Sequence, residues 1–210
     1  MARVIGWTMH GEPEWRLTVV GPDSPPGTVP PDIADADLVA ACLSGQPGAF
    51  DLVVERHQRA LYQLCYRFVA NHEDASDLTQ DIFLRAFRGL RNFRRQASLG
   101  TWLYRIGVNV CLNRVSVKAP PTESIDDRQH VDERRERADE GILRTERTAR
   151  VRAAIAQLPR KQRAALILRI YHDMAHHEIA EVLGSSVGAV KANVFHALQN
   201  LKKLLGDGAV

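Results

Sequence analysis

The spacing of apolar residues constrains this fold most, because it follows a helical period in two separate blocks of the chain. One series, in the first block, is Leu78, Ile82, Phe83, Ala86, Phe87 and Leu90. Another, at the end of the second block, is Val187, Val190, Val194, Leu198, Leu201 and Leu205. We find no strand pattern and no internal repeat beside them. The pattern predicts an all-α protein with two small helical domains, at residues 37–116 and 144–206.

Formal charge is distributed unevenly along the 210 residues, although the net value is only +3. Residues 48–118 carry +5 and residues 144–210 carry +6, whereas residues 119–143 carry −4. Two basic blocks therefore flank an acidic connector. A basic balance is typical of proteins that bind a phosphate backbone, although a mild excess also occurs on ordinary surfaces.

Two segments lack the helical pattern. Residues 1–36 hold six of the ten prolines, and no period persists from Val19 to Pro31. We expect a disordered Pro-rich leader there, or a misassigned start codon. Residues 117–143 contain Pro120 and Pro121, followed by a mixed-charge run with few large apolar residues. Such a run buries little surface, so we expect a flexible charged linker.

The sequence also disfavours membrane insertion and secretion. No apolar run approaches the ~20 residues that span a bilayer, so we expect no membrane partner. The N-terminus lacks the basic and apolar regions of a secretory signal. Cys42, Cys65 and Cys111 are far apart and form no CxxC pair, which favours a reducing cytoplasm. We expect Cys65 and Cys111, which lie within helical stripes, to be core thiols.

Enzymatic and metal-binding functions find little support. The chain has no glycine-rich phosphate loop, no nucleophile elbow and no paired-carboxylate pattern, so we expect neither an enzyme nor a cofactor. His172, His176 and His177 precede Glu178, but they do not follow the HExxH order and no distant ligands complete a set. We therefore expect no metal site.

The last two helices carry the most specific motif. A short helix ends near Gly184, the turn continues through Ser185 and Ser186, and a longer helix follows. This arrangement is typical of a helix-turn-helix, whose second helix enters the major groove of DNA. A plain helical hairpin with a solvated face is the alternative. The outward positions with polar or aromatic side chains are Lys191, Asn193, Phe195 and His196.

Two further segments allow more than one interpretation. The helix at residues 73–90 is acidic in its first turns, which suits a binding face or simply the helix dipole. Residues 92–106 interleave arginines with aromatic residues, a combination that suits single-stranded nucleic acid. Trp102 shares a stripe with Ile106, which favours a core position for its ring.

Four segments in series resemble the extracytoplasmic-function sigma factors of bacterial RNA polymerase. They are "DLTQDIFLRAFRGLRNF", "TWLYRIGVNVCLNRV", "LPRKQRAALILR" and "EIAEVLGSSVGAVKANVFHALQNLKKLL". The resemblance covers roughly residues 37–116 and 145–206. It implies a transcription initiation factor that binds core polymerase, directs it to promoters through −10 and −35 contacts, and assists melting.

The resemblance also assigns roles to individual residues. In the first domain it implies that Asp77, Gln80 and Asp81 bind the β′ clamp helices of the polymerase. The side chains it implies at the melted −10 element are Arg94, Arg95, Asn109 and Asn113. An amide such as that of Asn109 can read a base edge once the base leaves the stack.

For the second domain, the resemblance implies contact with the −35 element and with the β flap. The residues it places at the −35 DNA are Ser186, Lys191, Asn193, Phe195 and His196. Ala192, Asn193 and His196 depart from the Ser and Arg frequent in the family, which affects the −35 sequence that is read. The family further implies an anti-sigma factor as partner. The alternative function is a stand-alone helix-turn-helix regulator, which would leave residues 73–106 unexplained.

Overall fold

A computed structural model describes residues 5–10, 14–19, 33–94, 96–117 and 138–206 of the chain. The helices expected in both blocks are confirmed. The first domain contains α1 (Asp35–Leu43), α2 (Ala49–Val69), α3 (His72–Gly89) and α4 (Leu99–Val117), with a 3-10 turn at Leu90–Asn92. The second contains α5 (Ala138–Ala156), α6 (Arg160–Tyr171), α7 (His176–Leu183) and α8 (Val187–Leu205). Across these ranges, no helix has the length and apolar composition needed to cross a bilayer.

Helix α2 is the centre of the first domain, where it packs against α1, α3 and α4. Its apolar stripe is buried, as the helical period predicts. Gly107 lets α4 approach closely, because a Cβ at that position would lie 2.9 Å from Cδ2 of Leu64 and 3.3 Å from Cδ1 of Ile82. The core thiols of Cys65 and Cys111 are both buried, with their sulfur atoms 3.7 Å apart. This packing fixes which face of α4 remains available outside the core.

The N-terminal segment contains a β-hairpin, which corrects the expectation of a disordered leader. Strands β1 (Ile5–His10) and β2 (Glu14–Val19) pair in antiparallel fashion. The sequence of β2 alternates polar and apolar residues, a period of two that the proline count obscured. The register places Ile5 opposite Val19, Trp7 opposite Leu17 and Met9 opposite Trp15. Residues 20–32, which hold five of the prolines, lie outside the described residues.

The second domain begins earlier than the sequence indicated. Helix α5 starts at Ala138, inside the segment expected to be a linker. Asp139 and Glu140 fall in its first turn, where negative charge suits the helix dipole, and Ala, Glu, Leu and Arg are good helix formers. The sparse apolar residues of this region therefore do not prevent a helix. The rest of the expected linker, residues 118–137, lies outside the described residues.

The buried face of α8 also differs from the prediction. Val190, Val194 and Ala197 are buried, whereas Val187 and Leu198 are 40% and 50% exposed. The buried stripe is narrower than the set of apolar residues, although α5, α6 and α7 all pack against α8. Apolar character alone therefore located the buried stripe of α8 but not its edges.

The two domains pack against each other. Helix α6 contacts α2, α7 contacts α4, and the buried apolar residues of both domains form one continuous cluster. Polar contacts join the domains as well: Nη2 of Arg105 donates to the Glu181 carbonyl at 2.6 Å, and Nη2 of Arg160 donates to the Leu112 carbonyl at 3.0 Å. The sequence predicted a connecting segment between the domains but not this interface.

His172 is the titratable group at the centre of the interface. Its Nδ1 lies 3.0 Å from the hydroxyl of Tyr104, across the domain boundary. Burial lowers the pKa of the His172 imidazole to about 4, and the nearby positive charge of Arg67 acts in the same direction. At neutral pH the ring is therefore uncharged, and a hydrogen bond joins Nδ1 to the Tyr104 hydroxyl.

The lowered pKa of His172 predicts that the folded protein loses stability in acid. An unfolded histidine has a pKa near 6.5, so between about pH 6.5 and pH 4 the unfolded chain takes up a proton that the folded chain does not. The contribution of His172 to the free energy of unfolding is present above about pH 6.5. It falls by about 2–3 kcal/mol as the pH drops through 4.

Urea denaturation of the parent protein and of His172→Gln at neutral pH and at about pH 4.5 measures this effect. The glutamine amide can still form a hydrogen bond with Tyr104 but does not titrate. We expect the variant to lose less stability on acidification than the parent. An identical loss in both proteins would contradict the assignment.

Candidate polymerase and promoter interface

Helix α3 presents its acidic residues away from the core. Its first turn is capped by Asn71, whose side-chain oxygen accepts from the Asp74 backbone N–H at 2.9 Å. The cap fixes the rotation of the helix, which buries Leu78, Ile82 and Phe83. Asp77 is left exposed on the opposite side.

The other two residues predicted to contact the polymerase are less exposed than Asp77. Gln80 and Asp81 are half-buried, and the Asp81 carboxylate accepts from Nε of Arg85 at 2.9 Å. The side chains of Arg85 and Asp81 are 54% and 41% exposed, so the ion pair contributes little to stability and a partner can replace it. The structure thus places the three residues along one side of α3, with Asp77 the most accessible.

Phe87 differs from its predicted place in the core of the first domain. The ring is 57% exposed and meets Phe50 edge-on, with ring centroids 5.0 Å apart. The apolar stripe of α3 is wide, and α2 and α4 cover only its centre. An exposed aromatic ring therefore lies nearly two turns beyond Asp81, the last acidic residue of α3.

An open pocket of about 370 Å³ lies between the end of α3 and the middle of α4. Its lining residues are Arg85, Gly89, Asn92, Trp102, Ile106 and Asn109. The half-buried ring of Trp102 forms one wall and packs on Phe93, with ring centroids 5.0 Å apart. One side of the Trp102 ring thus packs on the first domain and the other faces the pocket. This position is compatible both with a role in the core and with a role in binding nucleic acid.

One of the two amides predicted to read the −10 element lines this pocket. Asn109 is exposed and lines it, and Asn113 is exposed one turn further along α4. The start of α4 is held by Ser98, whose hydroxyl oxygen accepts from the Thr101 backbone N–H at 3.0 Å. Arg94 is exposed before this turn, and Arg95 lies outside the described residues.

The helix-turn-helix is confirmed, and its turn depends on local hydrogen bonds. The carboxylate of Glu178 accepts from the Ala175 backbone N–H at 2.7 Å and begins α7. Gly184 ends α7 with φ 58°, a left-handed conformation that favours glycine. Ser186 then caps α8 by accepting from the Ala189 N–H at 3.2 Å. The Ser186 side chain is exposed, with its oxygen engaged in this cap.

The outer face of α8 carries the predicted −35 residues. Lys191 and His196 are exposed, and Asn193 is half-buried. Phe195 is 57% exposed, and its ring lies 5.6 Å from that of His196. The other side of α8 is anchored to α6, where the Asn200 amide donates to the Gln162 carbonyl oxygen at 2.8 Å. A basic, aromatic surface is therefore held on a fixed helix.

Sequence reasoning missed Arg163, which is the buried charge between the domains. The residue is only 6% exposed, and Nη2 donates to the Phe68 carbonyl at the end of α2. One feature of the sequence could have indicated its burial. Arg163 directly precedes a run of apolar residues in α6, and all of these, from Ala164 to Leu168, are buried. Among the described residues, no three His, Cys, Asp or Glu side chains gather as metal ligands do.

Comparison with known proteins agrees with this geometry. Residues 53–119 match the family model for Sigma-70 region 2, and residues 148–201 match that for Sigma-70, region 4. The RNA polymerase sigma-H factor of Pseudomonas aeruginosa is 33% identical over 81% of this chain and 93% of that protein. The ECF RNA polymerase sigma factor SigM of Mycobacterium tuberculosis is 36% identical over 82% of this chain and 85% of that protein.

Solved structures show the same architecture. The structure of CnrH in complex with the cytosolic domain of CnrY has a TM-score of 0.62 and 31% identity, and the match covers 82% of this chain and 97% of that one. RpoE from Bartonella quintana, solved with the anti-sigma factor NepR, has a TM-score of 0.56 at 20% identity, which supports the fold alone.

The first helical domain matches Sigma-70 region 2, and the helix-turn-helix domain that follows matches region 4. This order of domains defines a sigma factor of the sigma-70 class. The identity to its relatives narrows the class further. The chain belongs to the extracytoplasmic-function (ECF) sigma factors of bacterial RNA polymerase. It is a transcription initiation factor that directs the polymerase to promoters. A stand-alone helix-turn-helix regulator is not favoured, because it would not contain region 2.

Proposed function

We propose that this sigma factor binds core polymerase through α3, the melted −10 element through α4, and the −35 element through α8. The observation that carries the proposal is the pocket beside Asn109, where an exposed amide lies next to a supported aromatic ring. The first domain, residues 37–116, has the first two roles, and the second, residues 144–206, has the third. The factor acts without catalysis of its own, without a cofactor, and in the cytoplasm.

For the polymerase, the proposed contacts are Asp77, Gln80 and Asp81 with the β′ clamp helices. Asp77 is exposed, and the weak pairing of Asp81 with Arg85 leaves that carboxylate available for exchange. In this proposal the contacted surface of the polymerase is basic. The negative charge near the start of α3 then accelerates association with it through long-range electrostatic attraction. Contact of the second domain with the β flap would complete the assembly.

For the −10 element, a base of the non-paired strand enters the pocket and stacks on Trp102. The volume of about 370 Å³ falls within the ~300–1,000 Å³ of known ligand pockets. Asn109 then reads the base edge, Asn113 assists one turn away, and Arg94 and Arg95 hold adjacent phosphates. Capturing a base that has left the stack favours the melted state of the promoter.

For the −35 element, α8 lies in the major groove. Lys191 contacts a phosphate or a guanine edge, Asn193 an adenine, and Phe195 and His196 the groove wall or bases. Ser186 holds the start of α8 and offers its hydroxyl to a phosphate. Because many of these contacts involve phosphate, binding weakens steeply as salt rises.

Binding both elements together requires the two domains to separate. The elements lie about 25 base pairs apart, or roughly 85 Å along straight DNA at ~3.4 Å per base pair. A compact body of this size has a radius of gyration of only ~15 Å. The closed arrangement is therefore a state of the free or inhibited factor, and promoter binding requires opening at the interface of α4 with α7.

An anti-sigma factor is a further proposed partner. CnrH was solved with the cytosolic domain of CnrY, and that protein is 31% identical to this chain. A partner that holds the two domains close together would block simultaneous contact with the −10 and −35 elements.

Run-off transcription tests the proposed function. Core polymerase from a related bacterium is combined with the protein and sheared genomic DNA, and the 5′ ends of the transcripts are sequenced. We expect discrete starts that share −35 and −10 motifs upstream. Duplex DNA binding by the protein alone, with no discrete starts, would support the stand-alone regulator instead.

Replacing Asp77 by Arg tests the polymerase contact. Reversing an exposed charge on α3 leaves the core intact but opposes a basic partner, so we expect core affinity to fall at least about tenfold. Glu55→Arg, the same change at an exposed position of α2, is the matched control. Fluorescence anisotropy of the labelled protein with core polymerase measures both. Equal losses in both variants would show a general charge effect and contradict the α3 contact.

Replacing Asn109 by Ala tests the −10 pocket. Loss of one base-reading amide costs ~1–3 kcal/mol, which corresponds to roughly a 5- to 160-fold loss of promoter opening. Permanganate footprinting of the holoenzyme on its promoter measures opening, and anisotropy checks that core binding is unchanged. Gln63→Ala, which removes an exposed amide from α2, should open promoters normally. Normal opening by the Asn109 variant would overturn the role of the pocket.

A further inference from the structure

A second cavity, of about 170 Å³, lies where the two domains meet. The last turn of α2 forms one side, and α5 and α6 form the other. Its polar and aromatic lining residues are Tyr66, Arg67, Phe68, Arg152, Arg163 and Tyr171. None of the contacts proposed for polymerase or promoter uses this cavity.

The cavity concentrates positive charge from both domains. Arg67 belongs to α2, Arg152 to α5 and Arg163 to α6. No acidic residue lines the cavity, and none of the three arginines forms an ion pair with any residue in the described part of the chain. The Arg67 guanidinium lies 4.0 Å from the ring centre of Tyr171, which positions it without neutralising it. Three like charges facing one space repel each other unless an anion lies between them.

Of the three arginines, the buried Arg163 most requires a counter-ion. Its Nη2 donates to the Phe68 carbonyl, but its buried Nε has no hydrogen-bond partner among the described residues. Cys111 is a nearby titratable group, and its hydrogen bond with Cys65 and its burial raise its pKa, so its thiol is neutral. A guanidinium stays protonated even when buried, and a buried charge without a counter-charge is costly.

We infer that this cavity binds the phosphoryl group of a small molecule between the two domains. Guanidinium groups match phosphate oxygens in geometry, and three positive charges suit a phosphate or diphosphate better than a single carboxylate. With a volume of about 170 Å³, the cavity has room for several water molecules, which fits one or two phosphoryl groups but not a peptide segment. Because both domains supply arginines, the bound group ties the domains together in the closed arrangement.

Isothermal titration calorimetry of the full chain tests the site directly. The probes are inorganic phosphate, inorganic pyrophosphate and GDP, each at the same ionic strength set with sodium chloride. We expect saturable binding of one equivalent of at least one probe. The probe that binds tightest distinguishes free phosphate from a diphosphate and from a nucleotide. Absence of saturable binding with all three would overturn the proposal.

Paired variants show whether the binding occurs between the domains. Arg67→Gln and Arg152→Gln each remove one charge from opposite sides of the cavity, and each should weaken binding about tenfold. Arg150→Gln, an exposed change on α5 outside the cavity, and Lys203→Gln, an exposed change on α8, should leave binding unchanged. Equal weakening by either control would assign the binding to the general basic surface. Unchanged binding in either cavity variant would show that the site does not bridge the domains.

The choice of variants separates binding from folding. Arg67 is exposed and Arg152 half-buried, so their replacement leaves the core intact, which thermal unfolding followed by circular dichroism verifies. Arg163 is not replaced, because its hydrogen bond to the end of α2 contributes to the packing of the domains.

Discussion

The closed arrangement of the two domains depends on one buried cation, the guanidinium of Arg163. It donates to the Phe68 carbonyl in the last turn of α2, where the helix leaves carbonyl groups without internal partners. The negative end of the α2 dipole favours a cation at this point. Arg163 of α6 therefore supplies a hydrogen-bond donor to the C-terminal end of α2, the central helix of the first domain. The apolar cluster surrounds that contact.

Several polar contacts accompany the apolar burial between the domains, which suits the opening proposed for this interface. The Arg105 and Arg160 side chains donate to backbone carbonyls across the boundary, and Tyr104 meets His172. Water can replace each of these hydrogen bonds when the domains separate, so each adds only about 1 kcal/mol to closure. Burial of the apolar residues around Arg163 opposes separation more strongly. The interface is therefore specific in geometry and moderate in strength, as expected between domains that move relative to each other.

The sequence predicted the helices well because their signals are local. The cap of α8 at Ser186, the left-handed Gly184 and the apolar stripe of α3 all depend on residues within a few positions of each other. It failed where the outcome depends on distant parts of the chain. Which edge of α8 is buried depends on α5, α6 and α7, and the burial of Arg163 depends on a carbonyl far away in sequence. The hairpin at Ile5–Val19 is a different failure, since its alternation was present in the sequence.

Helix α4 shows how closure and promoter binding can be independent. Gly107 faces the core of the first domain, Tyr104 and Arg105 face the second domain, and Asn109 lines the open pocket. The pocket is built only from α3, α4 and the turn that joins them, so departure of α7 removes none of its walls. Because one helix carries all three faces and the core face is held by close packing, the pocket keeps its shape when the domains separate. In the proposed mechanism the −10 pocket is thus formed before the promoter is bound, and only the position of the second domain has to change.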